Sequence, residues 1–213
     1  MKLFNRVRNI LRRLVQSHGT ESVKRRLWND EYSSGRWKCL ERTGEENAHF
    51  LLEKYAQNGA ILDLGCGPGT TGIELNPATY THYTGVDISD VAIEKARSRA
   101  HGIGRADRNQ YFQSDILSFT PSRHYDVILY GDSIYYIARG QIAPMLKRYS
   151  SFLTNSGVIV ARLFDISGKH HQILEIIQEH FETVELTMSE QTRACFIVFR
   201  PRRTAEFSTS AGT

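Results

Sequence analysis

From Lys2 to Gln16, apolar residues stand at Leu3, Phe4, Val7, Ile10, Leu11, Leu14 and Val15, while Lys2, Arg6, Arg8, Arg12 and Arg13 take other positions. Spacings of three and four line one face of a helix, so the segment predicts a basic amphipathic helix. His18-Gly19-Thr20 reads as a break, after which helix resumes over Glu21 to Asp30 and leads into an aromatic, glycine-containing stretch from Trp28 to Trp37. A third helix is expected from Gly44 to Gln57, with Phe50, Leu51, Leu52 and Tyr55 facing inward and Asn58-Gly59 closing it.

The period then changes. Short apolar strands are expected at Ala60–Leu64, Tyr80–Val86, Gln110–Ser114, Tyr125–Tyr130, Val158–Phe164, Thr183–Met188 and Arg193–Phe199. Helices fit between them at Thr70–Leu75, Asp90–Ala100, Gln141–Leu153 and Gly168–His180, with Ser89 placed to cap the second. Alternation of this kind builds an α/β, Rossmann-like, mostly parallel sheet with helices on both faces. The connection Ser189 to Thr192 is too short for a crossover helix, so the last two strands should form an antiparallel hairpin.

A chain of 213 residues accommodates one such domain with an appendage. The expected division is an N-terminal helical extension and lid over 1–58, the α/β domain over 59–203 and a flexible tail over 204–213. The net charge of +4 is unevenly spread: the first 26 residues carry eight basic residues against Glu21 alone, which leaves the remainder about −3. The main body therefore lacks the broad positive surface of a general nucleic-acid binder, and nucleic acid is not an expected partner. Cys39, Cys66 and Cys195 are far apart without CxxC spacing, so neither a zinc site nor a disulfide framework is signalled and no metal is expected. No apolar run approaches the roughly 20 residues that span a bilayer. The expected location is cytoplasmic, with peripheral contact at the inner membrane face through the basic helix of residues 1–16; assembly into an oligomer is compatible with the same stripe.

Ile61-Leu62-Asp63-Leu64-Gly65-Cys66-Gly67-Pro68-Gly69-Thr70 places an apolar strand directly before a glycine-rich turn that opens a helix. Gly65 and Gly67 let bare backbone, with that of Cys66, approach a ligand, and Asp63 can accept hydrogen bonds from ligand amines or orient the loop. The dinucleotide fingerprint requires a glycine at position 70, where Thr70 stands, which disfavours NAD and FAD. A second strand ends in Gly85-Val86-Asp87-Ile88-Ser89, with Asp87 suited to paired ribose hydroxyls; a third ends in Gln113-Ser114-Asp115-Ile116, where Asp115 can accept an adenine amino proton between the apolar faces of Ile88 and Ile116. Each acid alone is readily a helix cap or a solvated loop residue. Their order, each following a strand, points to a nucleoside.

Asp63 to Thr70, Asp87, Asp115 and the Tyr125 to Tyr136 segment resemble the successive motifs of class I S-adenosylmethionine-dependent methyltransferases, over roughly Gly59 to Arg200. The resemblance implies strand order 3-2-1-4-5-7-6 with strand seven antiparallel, S-adenosyl-L-methionine as cofactor, and loop, ribose and adenine roles for Asp63, Gly65, Gly67, Asp87 and Asp115. It places Tyr130 and Gly131 beside the methionine part and directs Asp132, Tyr135 and Tyr136 toward the acceptor. Within the family the chain looks most like enzymes of small molecules and glycans. It lacks the Asn-Pro-Pro-Tyr type of motif that marks many amino methyltransferases of adenine and glutamine.

Methyl transfer from a sulfonium is an in-line displacement in which orientation supplies much of the rate. If the acceptor is a hydroxyl, Asp132, His170 or His171 can take its proton; capping and surface exposure are the plain alternatives. Tyr32, Trp37 and Trp28 are candidates to roof the cofactor or simply to pack the helices, and Arg36 is a candidate to pair with a carboxylate. The expected function is methyl transfer to a hydroxyl, or less favourably an amine, of a small molecule or glycan. The alternatives are a noncatalytic cofactor-binding partner subunit and an RNA methyltransferase docking through the basic N-terminus.

Overall fold

The structure is a computed structural model that describes residues 2–41, 48–164, 168, 170–189 and 194–202, with side chains described from residue 9 onward except at 40. Helices α1 (Lys2–His18) and α2 (Glu21–Ser33) are separated at Gly19-Thr20 as the sequence predicts, and a single turn of tighter helix covers Lys38–Glu41. Helix α3 runs His49–Ala56; its expected start at Gly44 lies outside the described residues. Leu51 and Leu52 are fully buried while Phe50 is half exposed against Phe196, because three consecutive residues sweep too wide an arc to face one core. Gln57 and Asn58, not Gly59, take the left-handed conformation that ends α3. Gly59 instead makes room for a neighbouring carboxylate, since a Cβ there would run into Asp126 Oδ2.

The alternating part follows: β1 (Gly59–Leu64), α4 (Thr70–Glu74), β2 (Tyr80–Asp87), α5 (Asp90–Gly102), β3 (Asn109–Gln113), β4 (Tyr125–Gly131), a short turn at Ile134–Tyr136, α6 (Arg139–Ser150), β5 (Leu153–Leu163), α7 (His171–His180), β6 (Phe181–Met188) and β7 (Cys195–Pro201). The seven strands order as β3-β2-β1-β4-β5-β7-β6, with β7 antiparallel to both neighbours. This is the order the resemblance implies. Strand β5 starts earlier than expected, because α6 stops at Ser150 and Leu153 already pairs with Tyr125. Ser89 caps α5 by accepting from the Ala92 N–H at 3.2 Å.

Side-chain alternation along the strands divides the core. Leu62, Leu64, Ile128 and Tyr130 join Ile142, Leu146 and Tyr149 on one face, while Ile61, Tyr83, Val127 and Leu129 join Leu52 and Ile93 on the other. Parallel strands β1, β2, β3 and β4 thus end together at one edge, where open α/β sheets bind ligands.

Candidate functional site

The turn after β1 is built to keep its backbone bare. Gly65 and Gly67 have φ of 88° and 52°, which L side chains seldom adopt; a Cβ on Gly65 would run into Ser133 Cβ, and one on Gly67 would lie 2.9 Å from the Tyr32 hydroxyl. The Gly65 and Cys66 N–H groups donate to Val86 O, and the Gly67 N–H donates to Asp87 Oδ2 at 2.9 Å. Asp87 Oδ1 accepts from Ser89 N–H, so this carboxylate first of all ties the loop to the end of β2. With the Ile88 N–H also acting on this carboxylate, a lone pair remains for a ligand.

Above this edge lies a cavity of about 610 Å³, within the range of small-molecule sites. Its lining brings together Asp63, Gly65, Cys66, Gly67, Asp87, Ile88, Asp115 and Ile116 from the ends of β1, β2 and β3, and Asp132, Tyr135 and Tyr136 from the turn after β4. Tyr32 and Trp37 close it from above with Trp28. These rings both pack and line: Trp28 meets Tyr136 edge-on at 4.8 Å and Trp37 at 6.0 Å.

Four sequence expectations need correction. The Tyr130 side chain does not line the cavity; it is fully buried on the opposite face of the sheet, edge-on to Tyr149 at 6.2 Å, while its neighbours Leu129 and Gly131 face the cavity. His170 stands behind the wall, stacked on Tyr135 at 4.4 Å with Nδ1 against Phe164 O. His171 faces solvent beside Glu175, and Arg36 is exposed.

Sequence reasoning missed several lining residues. Lys24, buried on α2, places Nζ 2.9 Å from Asp115 Oδ2, while Asp115 Oδ1 accepts from Leu117 N–H. The Asp115 carboxylate is therefore half of a buried ion pair joining residues 91 apart. Gln16 of α1 is also buried against the cavity, and its Nε2 has no partner among the described residues. Arg162, at the end of β5, pairs with Asp132. No signal in the sequence links these residues, since none lies near its partner along the chain.

Once these pairs form, the remaining charged residues of the lining are Asp63 and Asp87. Asp63 accepts hydrogen bonds from the Tyr83 hydroxyl and from Thr71. Burial, reinforced by the nearby Asp87, outweighs those bonds and pushes the Asp63 carboxyl up to about 7. Burial likewise raises Asp87 to about 6, against the backbone N–H groups of Ser89, Gly67 and Ile88 that favour its anion. Two buried acids without a counter-cation, beside a bare glycine turn, form a receptor for a cationic ligand with hydroxyl groups. Asp132 is different. Burial raises its carboxyl and Arg162 opposes the shift, while its φ of 56° points the side chain to Arg162 and Tyr135. Tyr135 is raised by burial and by that same acid.

Among the described residues no cluster of His, Cys, Asp and Glu is arranged to hold a metal, and no helix is long and apolar enough to cross a membrane. Asp165, just past the end of β5, lies outside them.

Residues 62–159 match the family model described as a methyltransferase domain. The chain is 27% identical over 118 residues to 27-O-demethylrifamycin SV methyltransferase of Amycolatopsis mediterranei, covering 52% of this chain and 43% of that one. It is 23% identical over 141 residues to the mRNA cap guanine-N(7) methyltransferase of Schizosaccharomyces pombe, covering 59% and 39%. The chain spans less than half the length of the curated relatives it matches. Among solved structures, magnesium protoporphyrin IX methyltransferase of Synechocystis with bound SAM superposes with a TM-score of 0.66 at 16% identity, over 84% of this chain and 96% of that one. The N-methyltransferase NodS of Bradyrhizobium japonicum with S-adenosyl-L-homocysteine gives 0.64 at 20%, over 82% and 100%. At these identities the superpositions establish the fold.

Proposed function

We propose that this chain is a class I S-adenosylmethionine-dependent methyltransferase that methylates a hydroxyl of a small molecule or glycan, a reading supported by the methyltransferase-domain match at residues 62–159 and by the sheet order. One observation carries the cofactor half of this reading: Asp63 and Asp87 are buried without a counter-cation beside the bare backbone of Gly65 to Gly67. That set fits the cofactor's ammonium and ribose hydroxyls, with Ile88 and Ile116 offering apolar faces to its base. S-adenosylmethionine supplies an electrophilic methyl on sulfur: the S–CH3 pair returns to sulfur as an acceptor oxygen forms the new bond.

The chain's own residues orient the acceptor and receive its proton. Trp28, Tyr135, Tyr136 and Phe164 provide flat apolar walls that exclude water, and Gln16 Nε2 offers a donor. A hydroxyl is preferred to an amine because it must lose a proton near neutral pH, and Asp132, raised by burial and held by Arg162, is the acid at that end of the cavity. Asp132 is therefore the assigned base. Its neighbour Tyr135 positions it, and His170 stacks on Tyr135 and favours the Asp132 anion by its charge.

Labelled methyl transfer from the cofactor into fractionated cell extract, followed by identification of the labelled compound, tests the reading. A labelled ether in a small molecule or glycan is expected, with transfer by Asp132→Asn reduced about 10²- to 10⁴-fold at unchanged cofactor affinity. Label in RNA, or tight cofactor binding with no transfer to any fraction, would replace it with one of the two alternatives.

A further inference from the structure

From residue 9 onward, helix α1 is turned inside out relative to an ordinary surface helix. A surface helix buries its apolar stripe and wets its polar face. Here polar residues go inward: Gln16 is only 4% exposed against the cavity, and Arg12 donates to Glu31 at 2.7 Å while lying over the Trp37 ring. Glu31 also accepts from Trp37 Nε1 at 2.8 Å, which locks α1, α2 and the aromatic roof together. The apolar residues go outward, with Ile10, Leu11 and Leu14 exposed by 52%, 58% and 52%. These three positions subtend about 100° of the helix, away from Arg12 and Gln16. A single exposed leucine is ordinary, whereas a contiguous stripe on one face marks an interaction site. In the sequence the stripe continues at Leu3, Phe4 and Val7.

Charge selects the occupant. The first 26 residues hold eight basic residues and one acid, and the remainder of the chain sums to about −3. Arg12, Lys24 and Arg25 are committed to Glu31, Asp115 and Asp90. Arg13 flanks the exposed stripe, is itself exposed, and makes no ion pair among the described residues. Joining two copies through this face would set two cationic helices against each other, whereas an anionic headgroup layer neutralises them and takes up the apolar residues at once.

We propose that α1 docks the protein on an anionic lipid bilayer through Ile10, Leu11, Leu14 and Arg13, bringing the Gln16 end of the cavity to the headgroup layer. The docking itself goes beyond the methyl-transfer reading. The consequence that acceptors are taken from that layer rests on it.

The full chain is sedimented with vesicles of phosphatidylcholine, alone or mixed with phosphatidylglycerol. Binding to the anionic vesicles should be about tenfold stronger than to the neutral ones and should be largely lost in roughly 0.5 M salt. The double substitution Leu11→Glu/Leu14→Glu, at exposed positions, should abolish sedimentation; Arg13→Glu should weaken it about fivefold or more. Calorimetric affinity for S-adenosylhomocysteine should stay unchanged in both variants. Equal binding to neutral and anionic vesicles, no binding, or full binding by the Leu11→Glu/Leu14→Glu variant would overturn the proposal. So would a concentration-dependent dimer that this variant dissolves in protein failing to bind vesicles, which would give the face to a second copy. The calorimetry is independent of the vesicles, so failure of the cofactor reading is seen separately.

Discussion

Acid should weaken cofactor binding while it stabilises the cofactor-free protein, and a single side chain should govern both effects. Asp63 titrates at about 7 because it is buried, and a cationic ligand group facing it requires its anion. Apparent affinity then follows the ionised fraction of Asp63, so lowering the pH from 7.5 to 5.5 should weaken binding about 25-fold, or nearly 2 kcal/mol. Asp87, at about 6, steepens the loss near the acid end. Stability moves the other way. In the unfolded chain an aspartate titrates near 3.9, so the stabilisation that comes from holding a proton on buried Asp63 is complete below that value and is lost as pH rises through about 7. Over the same interval the cofactor-free protein should gain about 2 kcal/mol on acidification, a rise of several degrees in Tm. Calorimetry with S-adenosylhomocysteine and thermal melts, each at four or five pH values, read the two slopes. Asp63→Asn keeps the shape and a hydrogen-bonding group but cannot ionise. It should bind weakly at every pH, melt higher than the native protein at pH 7.5, and lose most of both slopes. A native affinity that varies less than about threefold across the window, or an unchanged slope in Asp63→Asn, would refute the assignment of Asp63 to the cofactor's cation.

Two further outcomes can be measured. Lys24→Met strands the buried Asp115 carboxylate and should destabilise the protein by about 3 kcal/mol or more in denaturant titration, while Lys24→Met/Asp115→Leu should recover stability without recovering cofactor affinity. Methyl transfer should be indifferent to EDTA, and activity lost to a chelator and restored by magnesium would expose a metal site that includes residues such as Asp165.

The sheet was legible because strand and helix periods alternate cleanly from Gly59 onward and the loop after β1 combines glycines with an acid at a strand end. The face of each element was not. In β4 every residue from Val127 to Tyr130 is apolar and buried, so period two says that Leu129 and Tyr130 point apart without saying which points to the ligand. The same ambiguity governs α1, where the stripe at Ile10, Leu11 and Leu14 was plain while its outward orientation depends on Arg12 and Gln16 finding Glu31, Trp37 and the cavity. Lys24 and Arg162 were invisible for a related reason: an ion pair between distant residues leaves no local period.

The cavity is divided between the residues that match the family model and those on either side of them. The matched residues 62–159 contain all four aspartates of the lining and the glycine turn. Gln16, Lys24, Trp28, Tyr32 and Trp37 come from before that stretch, and Arg162 and Phe164 from after it. The outer residues depend on the inner ones for position: α2 is held by Lys24 on Asp115, by Arg25 and Asn29 on Asp90 at the start of α5, and by Ser89 on Asn29. Asp115 and Ser89 belong to the ends of the same strand-helix units that line the cavity. The N-terminal helices are thus placed by the strand ends that line the cavity and in turn place its aromatic wall. Under the proposed function, substitutions at Gln16 or Trp28 should change which acceptor is methylated while Asp63 and Asp87 keep their contacts, so that acceptor selectivity shifts at nearly constant affinity for S-adenosylhomocysteine in calorimetry.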